Sequence, residues 1–150
     1  MLHIFVDADA CPVKDEVYKV AGRYGLKVTL VANTWMRHPG GGGVVLEVVD
    51  QGLDGADDWI VEQAGKDDIV ITGDIPLAAR CLDKGARVLG HTGRPFTDEN
   101  VADALASRQL LKQLRDQGVM MGGPAPFAKK DRSLFLQQLD QMVNAIRRDG

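Results

Sequence analysis

Short apolar runs rich in β-branched residues recur up to Leu89, and most are followed by a segment whose apolar side chains have helical spacing. Leu2 to Val6 is the first such run; it ends at Asp7, and a helical stretch opens at Pro12 and stops near Gly25. Leu26 to Ala32 and Val44 to Val49 read as two more strands, joined by a glycine-rich connection, Asn33 to Gly43, that carries no helix signal. Asp54 to Ala64 has acids in its first turn, apolar Trp59, Ile60 and Ala64 on one face, and Gly65 at its end, the pattern of a capped helix. Ile69 to Thr72, Pro76 to Lys84 and Ala86 to Leu89 then give strand, helix and strand. The alternation predicts an α/β chain with a mostly parallel sheet of about five strands and helices on both faces, a three-layer α/β/α arrangement.

Beyond Leu89 the pattern becomes helical. Thr97 can cap a helix running to about Gln117, and Asp131 or Ser133 can start another running to about Arg148. Leu105, Leu111 and Leu114 on the first, and Phe135, Leu139, Met142 and Ile146 on the second, form apolar stripes expected to pack into the core. A loop with Gly122, Gly123, Pro124 and Pro126 joins them and leads into Lys129, Lys130 and Arg132. With 150 residues and no linker, the expectation is one domain over 1–150, with a C-terminal helical extension over about 97–150.

Composition narrows the function classes. Apolar residues at 45% and charged residues at 26% are ordinary for a globular protein. No apolar run reaches the roughly 18 residues of a membrane span, and the N-terminus lacks the basic flank and apolar centre of a leader, so no membrane partner and a cytoplasmic location are expected. Cys11 and Cys81 are too few for a disulfide framework and lack the spacing of a zinc site. A net charge of -3 argues against a broad basic footprint, although acids gathered in one site can hide a local basic surface.

The acids form the chemical pattern. Asp7 and Asp9 follow the first strand two residues apart, so an extended chain would point both carboxylates the same way. Open parallel sheets bind ligands outside the carboxyl ends of their strands where strand order reverses, and Asp74, ending Thr72-Gly73-Asp74, falls in such a place on the fourth strand. Asp57 and Asp58 open the second predicted helix. Taken singly, Asp57, Asp58 and Asp74 are also what helix caps and dipole partners look like, and Asp15 and Glu16 fit that role better still. Asp7 sits too far before Pro12 to cap a helix. Together the acids predict a rim where a hard cation, Mg²⁺ or Mn²⁺, relieves their repulsion, with Asp7, Asp9, Asp58 and Asp74 as expected metal ligands.

The stretches Asp7-Ala8-Asp9-Ala10-Cys11-Pro12-Val13-Lys14, Ala56-Asp57-Asp58-Trp59-Ile60 and Thr72-Gly73-Asp74-Ile75-Pro76-Leu77-Ala78 resemble the bacterial YaiI/YqxD family. The likeness extends to Gly123-Pro124, Phe127 and the segment from Asp131-Arg132-Ser133 to Leu139-Asp140. That family looks like a branch of the PIN-like fold, whose better-known members are metal-dependent ribonucleases. The resemblance implies catalytic roles for Asp7, for Asp57 or Asp58, and for Asp74, with Asp9 as an additional acid. It also implies RNA as partner and one or two metal ions, about 4 Å apart if there are two. The PIN pattern often has a further acid after the next strand. Here Gly90-His91-Thr92-Gly93-Arg94 offers none before Asp98.

Candidate phosphate contacts are Arg37, with His38, before the glycine run, and Arg94, Lys129, Lys130 and Arg132; solvated surface charge is the plainer reading of each. Gly40 to Gly43 lacks the Lys-Ser or Lys-Thr of a Walker loop and reads as a connector or lid. His91, at a strand end, could bind substrate or metal, though an exposed loop histidine is the plainer reading; Cys11 reads as an unreactive thiol beside acids, and Cys81 as helix core. Two other functions remain in view. Asp7-x-Asp9, Thr34 and Gly73-Asp74 resemble motifs of haloacid dehalogenase-like phosphatases, in which Asp7 would be the nucleophile and Asp9 the general acid. That pattern lacks a second acid near Asp74, where Leu77, Ala78 and Ala79 stand, and has only Lys66 as a lysine before it. The missing fourth acid equally fits a non-catalytic module that binds metal or nucleotide.

Overall fold

In the computed structural model, residues 2–49, 55–118 and 126–149 are described. Asp54, expected at a helix start, and Gly122, Gly123 and Pro124 of the long loop lie outside them. The elements are β1 (His3–Asp7), α1 (Lys14–Tyr24), β2 (Lys27–Ala32), β3 (Val44–Val48), α2 (Gly55–Gln63), β4 (Ile69–Ile71), α3 (Ile75–Asp83), β5 (Arg87–Leu89), β6 (Pro95–Phe96), α4 (Asp98–Asp116) and α5 (Lys129–Asp149). The sheet has six strands in the order β3-β2-β1-β4-β5-β6. All neighbours are parallel except β5 and β6, which pair antiparallel. The sixth strand is absent from the sequence reading, because two residues are too few to show a period-two pattern.

Strand alternation divides the core into two layers. Ile4 and Val6 of β1, with Val28, Leu30, Ile69 and Ile71, face α1 and α5, whose Val17, Val20, Phe135, Leu139 and Val143 complete the first layer. Phe5, Val31, Val70 and Val88 face the opposite way, onto Ile60 of α2, Leu77, Ala78 and Cys81 of α3 and Val101 of α4. The single three-layer α/β/α domain is therefore as expected, and α5 belongs to its body: Tyr24 of α1 donates to Asp140 at 2.7 Å, beside an Arg23–Asp140 pair at 2.8 Å.

The helix α4 departs from expectation. Thr97 and Asn100 form the capping box at its start. Val101 is buried, but of the stripe read as core Leu105 and Leu111 are 37% and 40% exposed and Leu114 is only half-buried, and neighbouring Leu110 is 55% exposed. Periodicity reports that a helix face is apolar, and carries no information on whether a surface meets it. Lys129 and Lys130, read as loop residues, form the first turn of α5, where Asp131 accepts the Ala128 N–H at 2.8 Å. Between β2 and β3, Gly42 and Gly43 have φ of 67° and 86°, a left-handed turn that glycine permits, which fits a connector.

The two helices should respond differently to truncation. Leu139→Ala, in the buried layer under α5, should lower unfolding free energy by about 2–5 kcal/mol, and Leu110→Ala by less than about 0.5 kcal/mol, both read by urea denaturation. Equal losses would place α4 in the core after all.

Candidate functional site

β1 lies between β2 and β4, and the chain leaves β1 toward α1 on one face of the sheet and β4 toward α3 on the other. This is the reversal point of strand order. Val6 pairs with Ile71, so Asp7 ends β1 beside Thr72. The buried Thr72 hydroxyl donates to Asp7 Oδ2 at 2.9 Å and accepts the Asp74 N–H at 2.9 Å. Asp74 caps α3, accepting the Leu77 N–H at 3.0 Å. The helix-cap role that any such aspartate can play is thus realised here, with Oδ1 alone engaged among the described residues.

Asp9 does not continue the line of Asp7. The strand stops at Asp7, the Ala8 N–H donates to the Val31 carbonyl, and the chain turns; the Asp9 carboxylate then accepts the Asn33 N–H at 3.0 Å, at the end of β2. Burial raises the Asp7 carboxyl above its ordinary value, and the charges of Asp74 and then Asp9 push it the same way against the Thr72 hydrogen bond. Asp7 thus feels the charges of both other acids at the ends of β1, β2 and β4.

On the second helix, Asp58 pairs with Arg80 of α3 at 2.9 Å and is largely exposed. Asp57 is half-buried on α2, and its charge, like that of Asp7, acts on the Cys81 thiol. Among the described residues, no three His, Cys, Asp or Glu side chains are grouped so as to hold a metal ion together. The oxygen-only donors Asp7, Asp9 and Asp74 still suit a hard cation, which commonly takes one or two carboxylates and completes its shell with water and phosphate.

The basic candidates are scattered. Arg37 and Arg94 are exposed, in the β2–β3 and β5–β6 connections. Lys129, Lys130 and Arg132 begin α5, where Arg132 pairs with the buried Glu16 at 3.1 Å, donates to the Pro12 carbonyl and lies over the Phe127 ring. Arg132 therefore fastens α5 to the loop after β1. Burial pushes both Cys11 and Cys81 up to about 11, consistent with inert thiols.

Three residues of the rim had no such place in the sequence reading. Lys14 Nζ donates to the Cys11 and Ala8 carbonyls at 2.8 and 3.4 Å and holds the β1–α1 loop closed. Gly73 lies under the imidazole of His91: a Cβ there would come within 3.3 Å of two ring atoms. His91 is half-buried rather than an exposed loop residue; burial, then the Lys14 charge, lowers its pKa, and its Nε2 is buried with no hydrogen-bond partner among the described residues. The signal for Lys14 was the positive charge inside the Asp7–Lys14 motif. For Gly73 and His91, local sequence carries none, since they meet only because β4 and β5 are neighbours.

Fold and site define an α/β protein with aspartates converging at the reversal point of a parallel sheet. The chain belongs to the YaiI/YqxD family: the profile described as "Uncharacterized BCR, YaiI/YqxD family" matches residues 5–145. It is 58% identical over 148 residues to a UPF0178 protein of Parvibaculum lavamentivorans, covering 99% of this chain and 97% of the relative. It is 55% identical over 152 residues to a UPF0178 protein of Rhodospirillum centenum, covering 99% of each. No solved structure matches the chain. Among the described residues, no helix is long and apolar enough to cross a membrane.

The raised Asp7 carboxyl makes stability without metal depend on pH in a defined direction. The folded protein keeps this proton to a higher pH than the unfolded chain, whose value is near 3.8. The folded state is therefore favoured by this group at low pH and loses that stability as pH rises through the folded-state value. In EDTA, Asp7→Asn should be more stable than wild type at pH 7, with the gap closing toward pH 4 in denaturation curves. A gap that widens toward pH 4 would show that Asp7 is not strained by its surroundings.

Proposed function

We propose that this protein is a metal-dependent hydrolase of phosphodiesters acting on RNA, with its site at the ends of β1 and β4. The observation that carries the reading is Asp7: a half-buried carboxylate at the reversal point, with the charges of Asp74 and Asp9 acting on it. Keeping like charges together opposes folding, and a hard cation offsets that opposition. Asp7 and Asp74, with Asp9, are the residues that would hold Mg²⁺ or Mn²⁺, and the ion would supply charge neutralisation at phosphorus and an acidified water. The chain's own part is orientation. Thr72 fixes both Asp7 and the backbone of Asp74, Asn33 fixes Asp9, and Lys14 holds the loop that carries Asp9. Arg94, Lys129 and Lys130, with Arg37, supply phosphate contacts around the rim, while Arg132 is held by Glu16. The PIN-like likeness of the family supports the same chemistry.

A second reading, a module that binds metal or nucleotide without catalysis, draws on the absence of three grouped ligands among the described residues. One assay separates the two. Purified protein is incubated with single-stranded RNA, structured RNA and a chromogenic phosphate ester, each with Mg²⁺, Mn²⁺ or EDTA. RNA should be cleaved only with metal. Asp7→Asn and Asp74→Asn should each slow cleavage about 100-fold or more and leave RNA binding in EDTA largely intact. Charge reversal at Lys129 and Lys130 should instead weaken binding and flatten its dependence on salt. Cleavage at the wild-type rate by the double aspartate variant overturns the site; turnover of the ester alone favours the phosphatase, and no turnover favours the binding module.

A further inference from the structure

A cleft of about 680 Å³ opens beside the acid rim, between the ends of β4 and β5 and the starts of α4 and α5. Its wall is largely apolar, with Pro12, Ile75 and the half-buried rings of Phe96 and Phe127. Two glycines shape it. The His91 ring lies against Gly73, and the Phe96 ring lies against Gly90, where an added Cβ would come within 3.3 Å of Phe96. Gly93, at φ 85°, brings the β5–β6 turn so close to α5 that a Cβ would meet the backbone of Leu134 and Phe135 at 2.9 Å. The β5–β6 turn is thus held against α5 by backbone contact, and the cleft is formed without a ligand.

Of the polar side chains lining the cleft, Asn100 accepts from the Thr97 N–H and donates to the Pro95 carbonyl, and Asp131 accepts from the Ala128 N–H. Exposed Thr92 and Arg94 lie at its edge, and His91 Nε2 is buried with no partner among the described residues. A buried polar atom in a native fold normally has a partner, and leaving one without a partner opposes folding. Small-ligand sites have this form: a pre-formed apolar cavity with few polar groups that set orientation.

We propose that this cleft binds the nucleobase of the substrate nucleotide against the Phe96 and Phe127 rings, with the His91 ring and the Arg94 guanidinium at its edge. The inference rests on the phosphodiester reading for the kind of ligand and adds to it the part of the substrate that is recognised. A largely apolar cleft with two aromatic rings and a guanidinium at its edge suits a flat heterocycle that carries a phosphate; it does not suit a sugar alone, whose hydroxyls need many partners. Gly73 couples the two sites, because it joins the ring platform of His91 to the capping acid Asp74.

The test is calorimetric binding in EDTA, with the four ribonucleoside 5′-monophosphates compared against ribose 5-phosphate and inorganic phosphate. At least one nucleotide should bind about ten-fold or more tightly than ribose 5-phosphate, the scale of one stacked and hydrogen-bonded base. It should shift the backbone amide signals of Gly73, His91 and Phe96 in NMR spectra of the wild type. His91→Ala and Gly73→Ala, the latter displacing the ring, should each remove most of that preference. Nucleotides binding no more tightly than ribose 5-phosphate, shifts confined to other regions, or a full preference in His91→Ala overturns the proposal. Base-dependent binding without metal-dependent turnover leaves the cleft standing and removes the hydrolase; RNA turnover without base-dependent binding does the reverse.

Discussion

Because β1 pairs in parallel with β2 on one side and β4 on the other, its last residue sits where one chain segment departs to each face of the sheet. The register that sets Val6 against Ile71 brings Asp7 next to Thr72, and the Thr72 hydroxyl then joins the two strand ends through Asp7 and Asp74. A slip of one residue in that pairing would turn Asp7 toward the other face and bury Val6 outside its layer. The apolar core on both faces thus determines where the carboxylates lie.

Positioning and repulsion are linked in this arrangement. A carboxylate can be kept half out of water only where packing holds its strand, and β1 is held by Ile4 and Val6 in one layer and Phe5 in the other. Asp7 is therefore destabilised in its charged form by the same core that stabilises the fold. Desolvation strengthens attraction between such a group and an incoming cation as much as repulsion between it and its neighbours. Asp58, paired with Arg80 in open solvent, illustrates the contrast: a screened surface pair has little to gain from a metal. The cleft beyond Gly73 extends the rim with apolar surface, and Arg94, a candidate phosphate contact, stands at its edge.

The layers and the parallel strands were legible in the sequence because each buried strand is a β-branched run and each covering helix has a 3.6-residue stripe. Asp7 and Asp74 were legible for a related reason, since both end such runs. What escaped depended on contacts between distant segments. The turn after Asp7 that sends Asp9 toward Asn33 is fixed by a hydrogen bond to β2. Arg80, which pairs with Asp58, belongs to a different helix. The exposed leucines of α4 show the converse, an apolar stripe complete in sequence but only partly covered in space. His91 was misread because its burial comes from the Gly73 backbone of the adjacent strand, and no window of local sequence contains both in one pattern.

The central claim is that a divalent ion binds between the ends of β1 and β4, and paramagnetic broadening by Mn²⁺ in ¹H–¹⁵N spectra of the whole chain tests it most directly. At substoichiometric Mn²⁺, the amides of Ala8, Asp9, Gly73 and Asp74 should broaden first, and excess Mg²⁺ should restore them. Amides at the opposite ends of the strands, such as His3 and Asp68, should stay sharp. Uniform broadening, or broadening centred on another acidic patch such as Asp58 and Glu62, would contradict the account.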